Sequence, residues 1–368
     1  MKIYSNKNVF EAALDRIRYI FDNEENIYVS SSGGKDSTVI VELALIVAKE
    51  KNRLPLHVCF CDQESEYDAT VEYFRKLSNR PEIKLHWFQV PFILTNATSL
   101  DENDVWLHCW NPKEKDKWIR PHEPNAITDM GLPHDARFYT VCENMGDYVF
   151  GKDSRYVDLL GIRGEESLVR YMLMHKENAV YKDCVFASKG HRKNTYRFYP
   201  IYDWSYTDVW HFIAKHNLLY NDMYNKMFQK GVEVRAMRVS SIIHETGVHG
   251  LKNLQEFEPK TYDRLVNRIG GINTYNQTHK KDLYAIKKLP SVFSSWIEYR
   301  DYLIEKIIVP KNRHIFYNAF KGHNTEELAR ADCKCVLLND ICLTKHGNTK
   351  AAERLKQKKE KLNNGSKK

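Results

Sequence analysis

One stretch constrains the fold of this chain more than any other: Tyr28-Val29-Ser30-Ser31-Ser32-Gly33-Gly34-Lys35-Asp36-Ser37-Thr38. An apolar, β-branched run, read as a strand over Ile27–Ser31, breaks into serines and two adjacent glycines. A lysine, an aspartate and a hydroxyl follow. The chain then turns apolar nearly all round, which reads as a buried helix over Thr38–Glu50. Strand, tight turn and helix N-terminus in that order make a place for an anion. The first helical N–H groups lack partners, the helix dipole is positive there, and paired glycines let the backbone approach a ligand. Ser30, Ser32, Gly33, Gly34, Lys35, Asp36 and Ser37 are therefore candidate phosphate-binding residues. The spacing is not that of the Walker loop, which places four residues between its first glycine and Gly-Lys.

The same alternation continues. Residues 1–25 read as a packing helix, Leu56–Phe60 as a second strand with Cys61 and Asp62 at its end, Ala69–Leu77 as a helix and Leu85–Val90 as a third strand. The pattern β-α-β-α-β predicts a doubly wound, mainly parallel α/β sheet. Ligands in such sheets bind outside the carboxyl ends of the strands, so Asp62 is a candidate for a nucleotide or its Mg²⁺. Residues 96–153 read as a long irregular, tryptophan-rich insertion, in which His108, Cys109, His134 and Cys142 offer zinc ligands without a Cys-x₂-Cys pair. A fourth strand over Arg155–Leu160 runs into Gly161-Ile162-Arg163-Gly164-Glu165-Glu166-Ser167. Arg163 leaves a buried strand where the first loop also emerges, and arginine holds phosphate with two parallel hydrogen bonds. Further on come a basic stretch with Arg192 and Lys193, and a capping pattern, Ser205-x-x-Asp208, inside Pro200–Trp210.

These three motifs, Ser-Gly-Gly-Lys-Asp-Ser, Leu-Gly-Ile-Arg-x-x-Glu-Ser and Pro-Ile-x-Asp-Trp-x-x-x-Asp-Val-Trp, together resemble the phosphoadenylyl-sulfate (PAPS) reductase family of the PP-loop ATP pyrophosphatase superfamily. The resemblance covers roughly residues 20–220. It implies an adenine nucleotide α-hydrolase-like fold that binds ATP or PAPS with Mg²⁺. The implied catalytic residues are Lys35, Asp36 and Arg163, with Asp36 and Asp62 as magnesium ligands. The nucleotide would also meet Gly161 and the Arg192–Lys193 loop. The implied reaction is attack at the α-phosphate with release of pyrophosphate, or sulfo transfer from PAPS. The reductase string Glu-Cys-Gly-Leu-His is absent, which argues against thioredoxin-coupled reduction. Met237-Arg238-Val239 and Pro259-x-x-Tyr262 resemble a subset of the family with a C-terminal domain of unknown function. That subset implies two further readings: a nucleotide-binding regulatory or phage-defence component with a ParB-like partner, and sulfur transfer to nucleic acid.

Length and charge fit this picture. The chain has 368 residues, 42% of them hydrophobic, and a net charge of +8, which suits a polyanionic substrate without demanding nucleic acid. The division expected is 1–220 for the nucleotide-binding domain, 221–345 for a mainly helical domain and 346–368 for a basic flexible tail. Helices are expected over Thr261–Ile269 and Ser291–Val309. Cys333, Cys335 and Cys342 form a cluster that offers soft ligands to zinc or an iron–sulfur cluster. No run of 18 apolar residues exists, and the opening residues form no signal peptide. The expectation is a cytoplasmic protein that makes no membrane contact.

Overall fold

The structure is a computed structural model that describes residues 6–98, 106–173, 181–182, 184–239, 241–243, 250–272, 288–308 and 310–337. The described residues fall into two compact units, one reaching Ile272 and one beginning after it.

The first unit is built on a six-stranded sheet. Its strands are β1 (Ile27–Ser30), β2 (Leu56–Cys61), β3 (Ile83–Phe88), β6 (Tyr156–Leu160), β7 (Ala187–Lys189) and β8 (Thr195–Phe198). They lie in the order β3-β2-β1-β6-β8-β7, with every neighbouring pair parallel except β7–β8. The order reverses between β1 and β6, and a crevice opens at the carboxyl ends of strands at such a switch point. Strands β4 (Phe92–Thr95) and β5 (Trp106–Cys109) pair separately as an antiparallel hairpin within the stretch expected to be irregular.

The two faces of the sheet differ because side chains alternate along each strand. Ile27, Val29, Val58, Phe60, Val157, Leu159 and Phe198 form one face and join the main core. Helices α1 (Val9–Asn23), α2 (Lys35–Glu50), α3 (Asp68–Ser78) and α6 (Tyr206–Lys215) pack into that core. Asn8 and Ser205 begin α1 and α6 with capping boxes, the second as its sequence predicts. The opposite face carries Tyr28, Ser30, His57, Cys59, Tyr156, Asp158 and Arg197, which stand opposite one another in register. Helix α4 (Phe138–Phe150) covers this polar face. Phe150 meets the rings of Tyr28, His57 and Tyr156, and Asp147 accepts a 2.6 Å hydrogen bond from the Tyr156 hydroxyl. A Cβ on Gly146 would come within 2.3 Å of the Tyr156 ring, so only glycine permits this approach.

Helices α5 (Leu168–Leu173), α7 (Met223–Gln229), α8 (Leu251–Phe257) and α9 (Pro259–Arg268) complete the unit. The first compact unit thus runs past residue 220, to Ile272. The reason is physical: residues beyond 220 are bonded into the sheet's carboxyl edge. Asn221 donates to Thr70 Oγ1 at 2.9 Å, and Glu258 accepts the free N–H groups of Asp68 and Ala69 at 2.7 and 2.9 Å, capping α3.

The second unit packs α10 (Trp296–Ile307), α11 (Arg313–Ala319) and α12 (Glu326–Leu337) around Leu303, Ile304, Phe316, Cys333 and Val336. Inside it, Asp332 bonds His323 Nδ1 at 2.9 Å and Arg300 at 3.4 Å. The expected tail, residues 346–368, lies outside the described residues.

Candidate functional site

The glycine loop leaves β1 and enters α2 at Lys35, three residues earlier than the periodicity suggests, with Gly34 as N-cap. Gly33 takes φ +71°, which glycine adopts without strain. The loop is tied internally. Ser31 Oγ, which the sequence reading passed over, donates to Ser37 Oγ at 3.4 Å, and Ser37 Oγ donates to the Gly34 carbonyl at 2.9 Å. Ser32 is exposed. Ser30 points the other way and donates its Oγ–H to Asp158 at 2.9 Å. Burial pushes the Asp158 carboxyl up to about 7, against the opposing pull of Ser30 and Arg197.

Gly161 follows β6 beside this loop. A Cβ there would lie 2.6 Å from the Asp36 carbonyl and 2.8 Å from Ser37 N, so the two loops are in backbone contact and only glycine allows it. Two residues on, buried Arg163 donates from Nε to Asp36 at 2.5 Å and from Nη1 to Glu165 at 3.0 Å and to the Trp204 carbonyl at 3.3 Å. Its Nη2 has no protein partner among the described residues. Lys35 Nζ lies 3.1 Å from the other Asp36 oxygen and donates to the Met237 carbonyl at 3.3 Å. Burial holds the Lys35 ammonium below its usual range; Asp36 opposes that shift, while Arg163 and Arg238 add to it. Arg170 on α5 is held down by burial and by Arg238 and Arg163. Lys35, Arg163, Arg170 and Arg238 thus share one end of the sheet, and an excess of cations there suits a polyanion. Neither Arg170 nor Arg238 stands in a motif that marks it as a phosphate ligand. Their signal is spatial.

Two expected groups are placed elsewhere. Thr195 pairs with Tyr156 at the amino end of the sheet, so the Arg192–Lys193 turn lies a full strand, roughly 13 Å, from the glycine loop. Arg192 is bonded to Asp147 at 2.5 and 3.0 Å, and Lys193 is exposed. Asp62 lies at the carboxyl edge but is sealed. It is fully buried, accepts from Trp87 Nε1 at 2.8 Å and Gln89 Nε2 at 3.0 Å, and pairs with Arg120. Neighbouring Glu64, at φ +59°, accepts from Trp110 N at 2.8 Å and Arg268 Nε at 2.7 Å. Here the 62–66 turn holds the tryptophan-rich insertion and α9 in place. Glu66 in the same turn is pushed up to about 8 by burial and by Asp62.

Magnesium does not fit the carboxylates named for it. Asp62 is closed off, and both oxygens of Asp36 are engaged by Arg163 and Lys35. The cysteine cluster also fails as drawn. Cys333 and Cys335 lie two apart on α12, a spacing that points side chains to different sides of a helix. Cys333 is buried, donates to the Trp296 carbonyl and is pushed up to about 12 by burial and Asp332. Cys342 lies outside the described residues, and among the described residues no three potential ligands gather, His108, Cys109, His134 and Cys142 included.

A model of the phosphoadenosine phosphosulfate reductase domain matches residues 26–118 and 160–274. This chain belongs to that family. A second model, for a domain of unknown function (DUF3440), matches residues 231–326. As a reductase-family chain, this one is 29% identical over 308 residues to the uncharacterized protein YbdN of Escherichia coli K12, covering 79% of this chain and 73% of YbdN. The uncharacterized protein MJ0973 of Methanocaldococcus jannaschii is 27% identical over 207 residues, 55% of this chain and 39% of that protein. Two solved structures show weaker likeness. PAPS reductase from Candida auris in a phosphate complex has 12% identity, covers 61% of this chain and 93% of its own, and scores a TM-score of 0.30. Candida glabrata FMN adenylyltransferase in complex with ATP has 15% identity, covers 61% and 62%, and scores 0.35. No helix among the described residues is long and apolar enough to cross a membrane.

Proposed function

We propose that this chain binds an adenine nucleotide, ATP or PAPS, with its phosphates on the loop from Ser32 to Ser37, and transfers a group from it to an acceptor. The observation that carries the reading is the junction of the two loops: Gly161 against the Asp36–Ser37 backbone and Arg163 Nε 2.5 Å from Asp36. That junction supports one basin lined by N–H groups of the α2 N-terminus and by two buried cations. With ATP, the β- and γ-phosphates rest on the loop as the leaving group. The acceptor supplies the nucleophile and attacks the α-phosphorus; the bond to the bridging oxygen breaks, and pyrophosphate departs. Lys35 and Arg163 stabilise the charge that grows on it. Asp36 holds both cations in place, since a carboxylate facing phosphate directly would repel it. With PAPS, the phosphosulfate end rests on the same loop, the acceptor attacks the sulfur, the S–O bond to the α-phosphate breaks and adenosine 3′,5′-bisphosphate departs; a buried Cys333 thiol pushed up to about 12 gives no support to a reductase cysteine.

The test is pyrophosphate release from ATP by the purified chain, with and without fractionated cell extract, beside Lys35→Ala. Release that needs an acceptor fraction and vanishes in Lys35→Ala is the expected result. Tight ATP binding with no release under any fraction would favour the regulatory reading, in which the chain senses nucleotide and acts through a partner. Absence of any ATP or PAPS binding overturns the proposal.

A further inference from the structure

The stretch after the α/β core is bonded to the phosphate loop at three points. Asn221 Nδ2 donates to the Gly33 carbonyl at 3.3 Å. The Tyr224 hydroxyl accepts the N–H of Lys35 at 2.9 Å, one of the groups that the first turn of a helix leaves without a partner. The Met237 carbonyl accepts from Lys35 Nζ at 3.3 Å. Tyr224 lies over Lys35, with the ring centroid 5.8 Å from Nζ, and the Val239 backbone lies against the same hydroxyl.

These bonds fix where residue 238 sits. Met237 and Val239 are buried, and Met237 is in extended backbone, so Arg238 between them turns outward and is exposed. Its guanidinium makes no ion pair among the described residues. Arg163 and Arg170, by contrast, each meet a carboxylate. Among the described residues, Arg238 is the cation of this cluster left without a counter-charge. Its charge reaches both Lys35 and Arg170, so three positive groups repel one another until an anion arrives.

We propose that Arg238 is a phosphate-binding residue of the nucleotide site, carried to the Lys35 loop by the segment that Asn221, Tyr224 and the Met237 carbonyl hold in place. The inference rests on the nucleotide reading above and extends it. It gives the 231–274 stretch shared by the two family matches a part in the site, and a PAPS-type or ATP-type substrate is held from both sides. When an anion binds, Lys35 Nζ turns from the Met237 carbonyl to the phosphate, and Arg238 closes on the same phosphate from the solvent side.

The test is calorimetric titration of the full chain with inorganic pyrophosphate, and separately with ATP, for wild type, Arg238→Gln, Arg238→Lys and Arg192→Gln. Because Arg238 is exposed, its variants keep the wild-type Tm. Loss of one charge-assisted contact predicts about tenfold weaker pyrophosphate binding in Arg238→Gln, with Arg238→Lys within about threefold of wild type. Arg192→Gln, at the far end of the sheet, binds as wild type. Equal pyrophosphate affinity in Arg238→Gln and wild type overturns the assignment of Arg238 while leaving the nucleotide reading intact. No pyrophosphate binding by wild type also overturns it, and titrations with ATP and with PAPS then decide the nucleotide reading on their own.

Discussion

The two ends of the central sheet are both rich in basic residues, and they use them differently. At the amino end the arginines are matched. Arg155 donates to Glu24 at 2.7 Å, and Arg192 is held by Asp147, which also takes the Tyr156 hydroxyl. At the carboxyl end, Lys35 and Arg163 share Asp36, Arg163 and Arg170 also meet Glu165 and Glu166, and Arg238 has no carboxylate among the described residues. The first arrangement closes the fold. The second leaves positive charge for a ligand to neutralise. A basic run in a sequence therefore does not locate an anion site. What locates it is whether the folded chain has already given those cations their partners.

Four substitutions test this contrast. Gly161→Ala has the largest effect, because the new methyl meets backbone at 2.6 Å and no side chain can yield. Denaturant unfolding should show a loss of about 3 kcal/mol, and nucleotide binding should disappear. Lys35→Ala leaves the fold in place, since the ammonium is buried at a desolvation cost, yet weakens ATP binding roughly 100-fold in a titration. Near-wild-type affinity there would erase the difference between the two ends.

Asp158 lies between them, mid-sheet, bonded to Ser30. Its carboxyl ionises near 7 in the folded chain but near 3.8 unfolded, so the folded state holds the extra proton. Stability from this group is present at acid pH and is lost as pH rises from about 4 through 7. From pH 5 to 8 the loss is about 3 kcal/mol, and Asp158→Asn should flatten that part of the profile in urea unfolding. An unchanged slope would place the proton elsewhere, Glu66 being the other raised carboxyl. Arg192→Gln is the mildest of the four. Its pair with Asp147 is partly exposed, so it lowers stability by about 1 kcal/mol and leaves ATP affinity unchanged.

The first sheet strands, the glycine loop and Gly161–Arg163 were legible in the sequence because their determinants are local: an apolar run, a turn and an apolar helix. Helix α4 was not. It covers a polar sheet face with Cys142, Glu143, Gly146 and Asp147, so its buried Val141 and Met145 stand among polar residues and a glycine, and the helix reads as part of the irregular insertion. Residues 119–159, which include α4, also lie outside the family match. Asp62 read as a free ligand because the groups that seal it, Trp87 and Arg120, are 25 and 58 residues away in the chain. Tyr224 and Arg238 were invisible as site residues for the same reason: only the folded segment brings them to Lys35.

The most direct test of the account is one isothermal titration of the full chain with ATP, repeated with Lys35→Ala. Saturable binding to the wild type that falls about 100-fold in the variant is the predicted result. Equal binding by both proteins, or binding of neither ATP nor PAPS by the wild type, would contradict a nucleotide site at the glycine loop.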